Sequence, residues 1–133
     1  MRLTASICIL VAALFVVPVK AEQPINVTLV QLIANPEKFD GKLIRVIGFL
    51  EIEFEGNVLY LHREDYENAL LGNGIWVDVT PEMTKNSKSL SKNYVLLEGV
   101  FSARERGHLD MWSGSLKNIR RAELWRAGDH AGK

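Results

Sequence analysis

Chemistry in this 133-residue chain would have to come from a few side chains. Two clusters pair imidazole with carboxylate: His62 with Glu64 and Asp65, and His108 with Asp110. Such groups suit a divalent ion, but neither cluster has the two-histidine spacing that identifies a metal site, and surface polarity at a hairpin end and in a loop explains both. Ser113-Gly114-Ser115 lacks the G-x-S-x-G spacing of a nucleophile elbow, and the sequence holds no phosphate loop and no H-E-x-x-H. Glu51 and Glu53 fall two apart on the expected outer side of a strand. Solvent there keeps both ionised, without the shifted pKa that acid–base catalysis requires. The chain reads as non-enzymatic, with no cofactor and no metal; a metal-dependent hydrolase using His62 and His108 is the reading left from the enzyme class.

The residues that precede the domain say where it goes. Arg2, an apolar run from Ile7 to Val17, Pro18 and then Val19-Lys20-Ala21 follow the plan of a secretory signal peptide over residues 1–21. A bilayer span takes roughly 20 apolar residues, more than this run offers, so no stable membrane anchor is expected after cleavage. The protein is expected to be exported, periplasmic in a Gram-negative source and otherwise secreted. Cys8, the only cysteine, lies in that signal, so the mature chain has no disulfide and no cysteine-held metal. About 110 residues remain, enough for one domain, expected over 22–126 with a flexible tail at 127–133. From Glu22 on there are 14 basic and 16 acidic side chains, a net charge of −2, which weighs against a polyanion as main partner. The charge is unevenly spread: −7 over Glu22 to Glu82 and +5 over Met83 to Lys133.

Residues Glu22 to Asn26 read as a tether. Thr28 is placed to cap a short amphipathic helix, Leu29 to Ala34, which Asn35-Pro36 ends. From Leu43 the apolar period is two: Ile44, Val46, Gly48, Leu50, Ile52 and Phe54 share one face, opposite Arg45, Glu51, Glu53 and Glu55. This predicts a strand of about a dozen residues by that alternation, bent at Gly48. A turn at Glu55-Gly56-Asn57 leads into a returning arm, Val58 to His62. Arg63 to Leu71 reads as a helical insertion, and Ile75 to Val79 as a third strand stopped by Pro81. Glu82 to Asn93 is polar and reads as a loop holding at most one helical turn. Tyr94 to Ala103 is a fourth strand with Gly99 at its middle, and a fifth begins at Ser115 and extends toward Trp125.

Five strands, the first and fourth bent at glycine, with Gly114-Ser115-Leu116-Lys117-Asn118-Ile119 opening the last, resemble an OB-fold barrel. Asp40-Gly41-Lys42-Leu43-Ile44-Arg45-Val46-Ile47-Gly48 is similar to the G-K-x-V-x-V-x-G opening of the first strand in many OB domains, including small exported ones. The resemblance spans Leu29 to about Leu124, most of the mature chain. It implies a mainly β, five-stranded Greek-key barrel with a short N-terminal helix and a helical insertion between strands two and three. That insertion, and a weak segment where such folds place a helix between strands three and four, are departures, and leave an SH3-like or other small barrel as the competing topology.

The resemblance also implies a binding face on strands two and three, flanked by the loops joining strands one to two and four to five. Tyr60, His62, Trp76 and Asp78 are expected to point outward there, and the last loop adds Arg104, Arg106, His108, Asp110 and Trp112. An indole beside arginines suits stacking on a sugar, a base or a proline-rich peptide. The competing reading covers Trp76 with the Arg63 to Leu71 insertion and makes it core. The expected function is recognition of a protein or small polar ligand through this face. An oligosaccharide or nucleic-acid binder is the alternative, although Glu51, Glu53 and Glu55 would repel phosphates.

Overall fold

The computed structural model describes residues 21–130. All but the last residue of the expected signal peptide, and residues 131–133 of the expected tail, lie outside them. Strand β1 (Ile25–Asn26) is followed by helices α1 (Leu29–Ala34) and α2 (Pro36–Phe39), then by β2 (Leu43–Glu51) and β3 (Val58–Tyr60). Helix α3 (Arg63–Glu67) and a 3-10 turn at Leu71–Asn73 precede β4 (Gly74–Val77). Helices α4 (Pro81–Lys85) and α5 (Ser87–Leu90) lead into β5 (Asn93–Ser102), and after a 3-10 turn at His108–Asp110 comes β6 (Ser115–Leu124). A last 3-10 turn, Ala127–His130, occupies the start of the expected tail.

The sheet runs β1-β2-β3-β4-β6-β5, and β5 pairs back onto β2, so five strands close a barrel to which β1 adds one more. β4 and β6 are parallel, β1 lies parallel to β2, and the other pairings are antiparallel. The chain is mainly β with a closed mixed barrel, in agreement with the period-two runs. Ile44, Val46, Leu50, Leu59, Ile75, Val77, Val95, Leu97, Phe101 and Leu116 fill its interior.

Local chemistry explains the bends and ends. Thr28 Oγ1 accepts from Gln31 N at 3.2 Å while Gln31 Oε1 accepts from Thr28 N at 2.9 Å, so two otherwise orphaned amides at the start of α1 are satisfied. Leu29 and Leu32 then turn inward, both buried. Gly48 bends β2 where pairing passes from β1 to β3: a Cβ there would stand 2.6 Å from Tyr60 O and 2.8 Å from the Leu29 and Leu59 side chains. Gly99 sits at the β5 irregularity between Glu98 and Val100, where a Cβ would stand 2.7 Å from Lys117 O.

Four expectations are corrected. β2 is nine residues, shorter than the dozen expected. The chain turns at Glu55 with φ 54°, leaving Phe54 at a loop tip, 92% exposed, rather than on the apolar face. The tether contains β1, a two-residue strand too short to show a period. Glu82 to Asn93 is not a loop with one turn, because α4 and α5 each bury a single apolar side chain, Met83 and Leu90, against the core. Two anchors seven apart in a polar background carry no visible amphipathic face. The readable signal was Thr80-Pro81, an N-cap followed by proline at the first helical position: Thr80 Oγ1 accepts from Met83 N at 3.2 Å.

Candidate functional site

The side chains expected to form a stacking platform do lie on the outer wall of β2, β3 and β4, but the chain covers them itself. Phe49, Val58, Tyr60 and Trp112 form a second buried cluster, with Tyr66, Leu71 and Trp76 packed against it. Tyr60 and Trp112, expected to be exposed, are 4% and 5% accessible. The reason is the Ala103 to Gly114 segment, which folds over the wall. Gly107, with φ 71°, lays its main chain on the Trp76 indole, and the Trp112 ring centres 5.0 Å from that of Trp76. Ser113 Oγ donates to Gly72 O at 2.6 Å and Ser115 Oγ to Glu105 O at 2.7 Å, holding both ends of the segment. Strand parity points a side chain outward without exposing it where a second layer exists.

Trp76 is half-buried, and its Nε1 donates to Asp78 Oδ1 at 3.1 Å; Asp78 is exposed. Arg104 and Arg106 are exposed, Arg104 lying 3.7 Å from Asp40 Oδ2. His108 reaches across to Glu55, 3.9 Å between Nε2 and Oε2, linking the two loops that flank this wall. Asp110, at the loop tip, is exposed.

The end of β2 carries a carboxylate that sequence placed in solvent. Glu51 is 3% exposed; its Oε1 accepts from Ser91 Oγ at 3.3 Å and its Oε2 has no hydrogen-bond partner. Burial pushes its pKa above the ordinary carboxylate value, the Lys92 charge pulls it down, and Glu53 adds to the rise. Burial likewise raises the Tyr60 hydroxyl, and the Glu51 charge raises that of Tyr66. Trp112 Nε1 comes close enough to Tyr60 to oppose the effect of burial, yet closes no well-formed hydrogen bond.

The open surface lies on the other side of β2. Cross-strand register sets three rows on the outer wall: Arg45, Glu98 and Arg121; Ile47, Leu96 and Glu123; then Phe49 and Tyr94, with Trp125 N donating to Tyr94 O at 2.9 Å beside them. On the far edge of β2, β1 pairs with Ile44 and Arg45 and β3 with Phe49 to Glu51. Ile47 falls between the two registers, and a groove of about 640 Å³ opens over it. Ile47, Leu61, Tyr94, Leu96 and Trp125 line it, with Val27, Thr28 and Leu29 at the entrance to α1 and Arg45 at the charged end. Of the expected site residues, His62 alone lines this groove. Asp65, which the sequence groups with His62 and Glu64, is buried, accepting from His62 N at 2.8 Å and from Asn73 Nδ2 at 2.7 Å.

The charged row is built around Glu98, 5% exposed. Arg45 Nε donates to its Oε1 at 2.7 Å, Arg121 Nη1 to the same oxygen at 3.2 Å, and Arg120 Nε to Oε2 at 3.4 Å. Burial alone would raise this carboxyl, but the hydrogen bonds and charges of Arg45 and Arg121 outweigh it and hold its pKa below the ordinary value. Sequence reasoning missed this site because Arg45 reads as one of several charged residues on an outer face, and that alternation passes over Ile47. The signal was Ile47 itself, an aliphatic where alternation asks for a polar side chain.

Among the described residues no group of three or more His, Cys, Asp or Glu side chains is placed to hold a metal ion, and no helix is long and apolar enough to cross a membrane. No protein-family model, no curated protein and no solved structure matches the chain.

Proposed function

We propose that the protein is a non-enzymatic binding module that works outside the cytoplasm and takes its ligand in the groove over Ile47 and Leu96. The apolar run ahead of Ala21 supports export. The strand order around the barrel, first-second-third-fifth-fourth with the third and fifth parallel, supports reading the domain as an OB-type barrel. The groove is the observation that carries the binding reading. Its volume of about 640 Å³ falls within the range that ligand pockets occupy, and it is mostly apolar with a few polar groups at its ends. Ile47 and Tyr94, which line it, are 36% and 37% exposed, so apolar surface stays open there. Its charged groups are engaged with one another, which favours holding a ligand over reacting with it.

The test is fluorescence of N-phenyl-1-naphthylamine, a neutral apolar probe, with the purified protein. Enhancement is expected for the native chain and for Arg106→Gln on the opposite wall, and its loss is expected in Ile47→Asp. Enhancement that survives Ile47→Asp would remove the groove from the account.

A second reading, recognition of a partner protein, is favoured by the loop tips. Phe54 is 92% exposed, Leu109 76% and Met111 43%, and the His108–Glu55 contact brings their loops together. Crosslinking from the exported fraction of the source cells, with Phe54→Ser and Leu109→Ser alongside, tests it: the reading requires a partner lost in both folded variants. The oligosaccharide or nucleic-acid alternative is disfavoured, since Tyr60 and Trp76 would have to serve as stacking faces but are packed under the Ala103 to Gly114 segment, whose own Trp112 is turned inward.

A further inference from the structure

Resting on the groove reading, we propose that the ligand is a single-chain anionic amphiphile, a fatty-acid-like molecule whose carboxylate meets Arg45 and whose hydrocarbon lies over Ile47 and Leu96 toward Trp125. The register of β2, β5 and β6 sets Arg45 and Arg121 about Glu98 in one row, Ile47 and Leu96 in the next with Glu123 at its β6 end, and Tyr94 beyond them beside the buried Phe49. A molecule with one charged end and one apolar end matches that order in a single orientation.

The sign of the charged end follows from the ion pairs. Arg45, Arg120 and Arg121 converge on Glu98, and Arg121 also donates to Glu123 Oε1 at 2.6 Å. Three cations against two carboxylates leave one positive charge. Glu98 is buried beneath the guanidinium groups, while the arginine side chains remain 33% to 43% exposed, so an incoming head group meets the cations first. Each guanidinium has five N–H donors. Arg45 uses two nitrogens, Nε toward Glu98 and Nη1 toward Asn26 Oδ1 at 3.4 Å, leaving donors for a carboxylate at the edge of the groove. A cationic head group in the groove would face the Arg45 guanidinium, beside a cluster of net positive charge, and be repelled.

Isothermal titration of the purified protein separates the possibilities, using decanoate, 1-decanol and decyltrimethylammonium as monomers at equal chain length. Decanoate is expected to bind about tenfold tighter than 1-decanol, the worth of roughly one charge-assisted hydrogen bond, with decyltrimethylammonium weakest. Added salt should weaken decanoate alone. Arg45→Gln should remove the preference for decanoate and leave 1-decanol unchanged. Because that variant also takes a partner from Glu98, Arg120→Gln serves as a second one, leaving Arg45 and Arg121 on the carboxylate and reducing the preference in part.

If 1-decanol and the neutral probe bind and are lost in Ile47→Asp while the head group makes no difference, the groove stands and the anionic ligand is wrong. Failure of every amphiphile and of the probe overturns both. A decanoate preference untouched by both arginine variants, or binding confined to phosphatidylglycerol vesicles, overturns the inference in favour of another cationic site or a membrane surface.

Discussion

Gly107 rests its main chain on the indole of Trp76: a Cβ at Gly107 would stand 2.6 Å from the ring carbons Cδ2 and Cε3. Its φ of 71° is a conformation that side chains disfavour in any case. Gly107→Ala should lift the Ala103 to Gly114 segment from the wall, at a cost of about 1–3 kcal/mol from overpacking and strain. Tryptophan emission should shift to the red and become quenchable by acrylamide, reporting Trp76 and Trp112 uncovered. Unchanged emission in a folded variant would mean that the segment is not what shields them.

Glu98 makes the fold acid-sensitive. Its pKa is depressed in the folded chain, so its contribution is present above the unfolded carboxylate value, 4.5, and is lost as pH falls through the lower folded value. Glu98→Gln should cost about 1–2 kcal/mol near neutrality, because a buried neutral amide weakens the charge-assisted hydrogen bonds from Arg45 and Arg121 while the guanidiniums themselves stay partly solvated. The variant should also lose less stability than the native chain on acidification below that value. Chemical denaturation at several pH values measures both.

Glu51 acts with the opposite sign. Burial raises its folded pKa above 4.5, so its contribution is full below the unfolded value and declines as pH rises through the higher folded one. Glu51→Gln removes the charge while keeping an acceptor for Ser91 Oγ. It is expected to raise the melting temperature at pH 7 and to flatten the decline that sets in above 4.5. A lower melting temperature at every pH would mean that the carboxylate charge is needed, through Lys92.

Met83 tests whether the short helices between β4 and β5 belong to the core. It is 2% exposed and packs against the barrel interior. Met83→Ala should cost about 3 kcal/mol through the cavity it leaves, and Thr80→Ala about 1 kcal/mol through the lost cap. Thermal melts of the two variants give the comparison, and a neutral Met83→Ala would make α4 a surface attachment.

Most of the barrel was legible because strand periodicity is local. Ile44, Val46 and Leu50 alternate with Arg45 and Glu51 whatever the rest of the chain does, and a twisted barrel is the simplest way to bury one face of each such run. Thr28 and Gln31 specify a helix start within four residues, and Gly48 and Gly99 mark bends that only a missing side chain permits. These readings needed no knowledge of neighbours beyond a few positions.

What tertiary structure decided was the fate of the outward face. Sequence put Tyr60, Glu51 and Trp112 toward solvent by parity or by loop position, but Trp112 folds with its segment back onto the wall and packs with Tyr60 and with Tyr66 of α3, and Glu51 is buried beside Ser91. The same alternation put Arg45 and Ile47 outward, where no second layer covers them, and the register of three strands joined them to Glu98, Arg121 and Leu96. Which side of a barrel is roofed and which is open depends on where distant loops come to rest. Such contacts lie tens of residues apart in the chain, and local periodicity carries no record of them.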